Sequence, residues 1–83
     1  MTQAQLILFG TSGCHLCELA EALIEKECRM REGALALCLT EIADQAVLMS
    51  RYGVRVPVLR RSDTGAELDW PFDARALQVF LGP

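Results

Sequence analysis

The chain has 83 residues, 52% of them hydrophobic and 23% charged. This composition sets a small globular domain with one core and excludes a disordered chain. A net charge of −3 argues against non-specific nucleic-acid binding, and no apolar stretch approaches the ~20 residues of a membrane span.

The first element is Ala4-Gln5-Leu6-Ile7-Leu8-Phe9, a short apolar run closed by Gly10-Thr11-Ser12-Gly13. It reads as a central strand covered on both faces, then a turn. From Cys14 to about Arg31 the period becomes helical. Leu16, Leu19, Ala20, Leu23, Ile24 and Cys28 form one apolar stripe, Glu25 and Arg29 pair on the polar side, and Gly33 suits the stop. Ala34 to Ile42 alternates as a second strand, with Leu35, Leu37 and Leu39 on one face and Ala36, Cys38 and Thr40 on the other. Asp44 is placed to cap a short helix, Gln45 to Tyr52, whose apolar side is Ala46, Val47, Leu48 and Met49 and which ends at Gly53. Val54 to Arg60 is strand-like but interrupted by Pro57. Ser62-Asp63-Thr64-Gly65 is a turn, and Glu67 to Trp70 returns as the second strand of a hairpin. Asp73 suits the N-cap of a last helix that buries Leu77, Phe80 and Leu81. The order is β-α-β-α-β-β-α. The early strands flank a helix and are expected to be parallel, the late ones antiparallel. One domain over 1–83 follows: an α/β fold with a mixed four-stranded sheet and helices on both faces. The N-terminus lacks a basic segment, and the apolar run Leu6 to Phe9 is too short for a signal peptide. A cytoplasmic monomer with no nucleic-acid or membrane partner is the expectation.

The chemistry concentrates at Cys14-His15-Leu16-Cys17, between the first strand and its helix. The first-turn N–H groups of a helix have no intrahelical partner, and the macrodipole adds partial positive charge there. A cysteine at that point ionises below the ~8.5 of a free thiol, and the thiolate is the reactive form. A second cysteine one turn on is within disulfide reach. Cys14, at the helix end, is the candidate nucleophile, and Cys17, one turn inside, the resolving thiol. His15 lies between them and, as an imidazolium, would stabilise the Cys14 thiolate; as an ordinary first-turn residue it would simply face water. A structural zinc needs two more ligands, and Cys28 is roughly 16 Å along the helix from Cys17, so no metal site is assigned. Cys28 and Cys38 read as buried structural thiols. Pro57 within a strand requires an edge, a bulge or a tight turn; a cis Val56–Pro57 bond beside the cysteines is one such arrangement. Arg60-Arg61 is too small a basic cluster to imply a nucleic-acid partner.

Gly13-Cys14-His15-Leu16-Cys17, followed about 40 residues later by Tyr52-Gly53-Val54-Arg55-Val56-Pro57-Val58, resembles the glutaredoxin branch of the thioredoxin superfamily. The leading strand and the late hairpin and helix fit too, so the resemblance covers almost the whole chain. The Gly-Cys-His-Leu-Cys and Trp70-Pro71-Phe72 segments are most similar to small bacterial glutaredoxin-like proteins. The resemblance implies a thioredoxin/glutaredoxin-like fold, a nucleophilic Cys14, a resolving Cys17, a cis Pro57, and a Val56 backbone that pairs with a bound peptide or glutathione. It also implies a thiol–disulfide oxidoreductase or electron carrier acting on protein or low-molecular-weight disulfides. The other class of function compatible with these residues is a non-catalytic thioredoxin-fold module holding a partner peptide or a soft metal through the same thiols. Four departures bear on glutathione as a co-substrate. His15-Leu16 replaces Pro-Tyr between the cysteines, no basic residue precedes Cys14, Arg55 replaces the threonine before Val-Pro, and no Gly-Gly pair precedes Asp73. Weak glutathione binding is therefore expected, with the Val56 backbone, the helix end at Asp73 and Arg55 as the remaining candidate contacts.

Overall fold

The computed structural model describes residues 4–32 and 34–82. Its elements are β1 (Ala4–Gly10), α1 (His15–Met30), β2 (Leu35–Glu41), α2 (Ala46–Tyr52), β3 (Val58–Arg61), β4 (Glu67–Asp69) and α3 (Ala74–Leu81). They form one four-stranded sheet in the order β2-β1-β3-β4. β1 runs parallel to β2 and antiparallel to β3, and β3 is antiparallel to β4. The expected α/β order, mixed sheet and helices on both faces are all present.

Alternation along the central strands explains the layering. Leu6 and Leu8 on β1, with Leu59 on β3, pack against Ala20 and Ile24 of α1 and Leu77 and Leu81 of α3. Phe9 on β1 and Val58 on β3 point the other way and pack against Ile42 and Tyr52. A residue one position along a strand faces the opposite layer, so β1 must be apolar on both sides. That is why it reads as a continuous run.

Several expectations need correction. The buried line of α1 is Cys17, Ala20, Ile24 and Glu27. Leu16 and Leu19 each sit one residue off it, about 100° around the helix, and are roughly half exposed at 47% and 46%. Glu27 is tolerated on the buried line because Arg31 pairs with it at 3.3 Å and Gln78 donates to it at 3.4 Å. The helix ends with Arg31 as C-cap; the stop expected at Gly33 lies outside the described residues. No Glu25–Arg29 pair occurs among the described residues; the ion pair on that stretch is Glu27–Arg31. On α2 the N-cap is Gln45 rather than Asp44, and Val47 and Met49 are exposed while Tyr52 is buried. The strand after α2 begins only at Val58, because residues 53–55 form a turn.

Candidate functional site

The site is organised around Gly10, the last residue of β1. In register it stands opposite Glu41 at the end of β2. One step beyond the Phe9–Val58 pair it comes level with Pro57, just before β3. Above it sits Cys17: a Cβ added at Gly10 would lie 3.0 Å from Cys17 Sγ. The absence of a side chain at Gly10 is what gives that sulfur its place.

Cys14 is the N-cap of α1 and has extended backbone (φ −85°, ψ 108°). Its Sγ accepts a hydrogen bond from the Cys17 N–H at 3.1 Å. The sulfur thus serves as the capping acceptor that Ser or Asp usually provides. Cys14 and Cys17 are joined as a disulfide, with Cα atoms 5.2 Å apart. Cys17 is buried and Cys14 half-buried, so Cys14 is the sulfur more open to a partner.

His15 is exposed and faces Glu18, with Nδ1 3.8 Å from its carboxylate. Glu41 was not singled out by sequence reasoning. Its carboxylate accepts from the Ser12 N–H at 2.8 Å and from the Ser12 hydroxyl, which together hold its pKa below the usual carboxylate range. The Ile42 N–H donates to the Gly10 carbonyl at 3.1 Å. The end of β2 therefore clamps the loop that delivers Cys14. The sequence signal was an acidic residue at the end of the neighbouring parallel strand, beside a serine-containing turn.

On the other side of Gly10, Val56–Pro57 is cis and Pro57 is buried. Trp70–Pro71 is also cis, and the Trp70 N–H donates to the Pro57 carbonyl at 3.2 Å. The Val56 N–H is already committed to the Tyr52 carbonyl at 3.0 Å. Arg55 is also committed. Its guanidinium holds Asp69 at 2.9 and 2.7 Å and Glu67 at 2.9 Å, and lies 5.3 Å from the Tyr52 ring centroid. An anionic ligand would have to displace two carboxylates to reach it. Asp73 caps α3, accepting from the Ala76 N–H at 2.8 Å. Cys14, Cys17, Val56 and Pro57 thus gather at one end of the two central strands, while Arg55 is turned into a network of its own.

The remaining thiols differ from expectation in one case. Cys28 is half-buried against the core, and burial pushes its thiol pKa up. Cys38 is exposed rather than buried. It lies opposite Ile7 on the α2 side of edge strand β2, and the seven-residue α2 leaves it uncovered. Alkylating the oxidised protein at neutral pH is expected to label Cys38 roughly tenfold or more ahead of Cys28, read by peptide mass; equal labelling would contradict the difference in burial.

Among the described residues, no three His, Cys, Asp or Glu side chains are grouped so as to hold a metal ion, and no helix is long and apolar enough to cross a membrane.

Comparison with known proteins agrees with this geometry. The family model of the glutaredoxin-like domain (DUF836) matches residues 5–82. Comparison with curated proteins finds no match. Among solved structures, target protein XcR50 from X. campestris is 45% identical, with 92% of this chain and 93% of that one covered and a TM-score of 0.74. Protein Ne2328 from Nitrosomonas europaea is 26% identical over 96% of this chain and 93% of that one, also at 0.74. A mutant thioredoxin from Halobacterium salinarum is 25% identical over 95% of this chain and 72% of that one, at 0.71. With the cysteine pair at the strand–helix junction and the family model spanning nearly every residue, the chain belongs to the glutaredoxin-like domain family of the thioredoxin superfamily.

Proposed function

We propose that the protein is a thiol–disulfide oxidoreductase in which Cys14 attacks and Cys17 resolves. The observation that carries this reading is the Cys14 sulfur, which caps α1 and is bonded to a buried Cys17 one turn away. In the reduced protein, the helix terminus and the Cys17 N–H favour the Cys14 thiolate. That thiolate attacks one sulfur of a substrate disulfide, forming a mixed disulfide and expelling the other sulfur as a thiolate. Cys17 then gives up its proton and attacks Cys14 Sγ. The Cys14–Cys17 disulfide forms, and the second substrate sulfur leaves. The protein loses two electrons and the Cys17 proton; the substrate gains the two electrons and leaves as two thiolates, which are protonated from that proton and from solvent. An external thiol or dithiol reductant restores the pair.

The partners this reading calls for are disulfides of proteins or small thiols. Glutathione is proposed to be a poor co-substrate, because Arg55 is held by Asp69 and Glu67 and the Val56 N–H by Tyr52. Val56 and Pro57 supply the docking edge, through the Val56 carbonyl. His15 is proposed to act on Cys14 only through its charge, since its contact is with Glu18.

The test is a redox titration of the Cys14–Cys17 couple in dithiothreitol buffers, followed by thiol alkylation and mass. A single two-electron transition confined to these cysteines is expected. A pair that stays oxidised or reduced across the accessible range, or titrates together with Cys38, would overturn the assignment.

A further inference from the structure

A groove of about 280 Å³ opens beside the two sulfurs on the side away from Pro57. Cys14 and Cys17 line it, with Glu18 and Glu21 of α1 on one wall and Leu39 and Glu41 of edge strand β2 on the other. Leu39 is 53% exposed. Among the described residues, no Lys or Arg lines the groove. Burial first, and then the neighbouring Glu25 and Glu18, push the Glu21 carboxyl pKa up. The Glu41 carboxylate accepts hydrogen bonds from Ser12 but meets no cation among the described residues. His15 does not line the groove; it faces Glu18 and is turned to solvent.

We infer that this groove receives the segment flanking the substrate's disulfide and selects a basic one, so that the preferred substrates are disulfides in Lys- or Arg-bearing peptides or protein loops. The inference rests on the redox reading above and names its substrate class. Three observations favour this occupant. Cys14 and Cys17 line the groove, so whatever enters it lies next to the exchanging pair. Its charge is of one sign, which attracts a cationic segment and repels an anionic one such as glutathione. Its outer wall ends at an edge strand, where an extended chain can lie without displacing any element. Long lysine or arginine stems also suit a wall that mixes Leu39 with carboxylates.

The experiment compares two synthetic peptides, each closed by one disulfide and identical except for Lys or Glu on both sides of one cysteine. The reduced protein is mixed with each in turn, and loss of its Cys14–Cys17 dithiol is followed by quenched alkylation. At low salt the Lys peptide is expected to react roughly fivefold faster or more, a preference that shrinks in high salt because the charges are partly exposed. Glu21→Gln is expected to lower the preference at least twofold. Glu32→Gln, which removes the same charge at the far end of α1, should leave it nearly unchanged. Equal rates for the two peptides overturn the groove while leaving the redox reading intact, as does an equal effect of Glu21→Gln and Glu32→Gln, which would mean that net charge alone steers encounter. Failure of both peptides to react at all removes the redox reading, and this inference with it.

Discussion

Cys14→Ser is expected to lower disulfide-reductase turnover on the order of a thousandfold or more, the scale on which loss of an attacking group acts. It should do so without unfolding the protein. Serine is among the best N-cap residues, so its Oγ can take over the hydrogen bond that Cys14 Sγ accepts from the Cys17 N–H. Cys17→Ser should behave differently. The first exchange still occurs, but nothing releases the product, and a Cys14-linked mixed disulfide accumulates with the mass of the substrate thiol added. Intact-mass measurement after mixing with a peptide disulfide separates the two variants. If the adduct forms on Cys17 in Cys14→Ser and not on Cys14 in Cys17→Ser, the roles are reversed.

The second large effect concerns stability. Glu67 on β4 is the hub of the network on the α2 side of the sheet. Its carboxylate accepts from the Tyr52 hydroxyl at 2.6 Å, from Arg55 at 2.9 Å and from Arg60 at 3.2 Å. Tyr52 is fully buried and stacks on Phe9, with ring centroids 4.2 Å apart. Glu67→Ala would leave a buried hydroxyl and two guanidinium groups without that acceptor. A loss of about 2–3 kcal/mol is expected, measurable by urea unfolding. A change below about 0.5 kcal/mol would show that water replaces the carboxylate. Glu67→Gln should cost less, because the amide oxygen still accepts one bond. The same network sets an acid limit. The Tyr52 hydroxyl and the two arginines lower the Glu67 pKa from 4.5 to about 2. A depressed carboxyl contributes stability in full above its unfolded value and loses it as pH falls through its folded value. Stability should therefore decline from about pH 4.5 towards pH 2, and the decline should be shallower in Glu67→Gln.

The sequence carried most of the architecture for a physical reason. A strand buried on both faces, a helix of 16 residues and a hairpin flanked by Pro57 and Pro71 each leave a local pattern, and β1, α1 and the β3–β4 pair announce themselves without reference to neighbours. The pairing of Cys14 with Cys17 was legible for the same reason, since one helical turn fixes their separation. What could not be read locally was which face of an element found a cover. Leu16, Leu19 and Cys38 have apolar side chains at reasonable positions. Whether they are buried depends on the axial rotation of α1 and on how far α2 reaches. Arg55 shows the same limit in charge rather than area. From the sequence it could be a ligand contact; two carboxylates on β4, about a dozen positions later, take it instead. Glu41 went unnoticed because its partner Ser12 lies 29 residues away, across a parallel pair whose register no short window reveals.

The contact between Gly10 and Cys17 also bears on how such a centre could be built elsewhere. Placing two cysteines a turn apart at the start of a helix looks like a modification of the helix alone. Here the second sulfur stands over the final strand residue, so close that even a methyl group there would force it to shift. A graft of Cys-x-x-Cys onto another parallel strand–helix unit would therefore need the strand altered too, with its last position emptied of side chain. A donor unit ending in valine or isoleucine, the residues that strands otherwise favour, would fill the space meant for sulfur and lever the helix end away from the sheet.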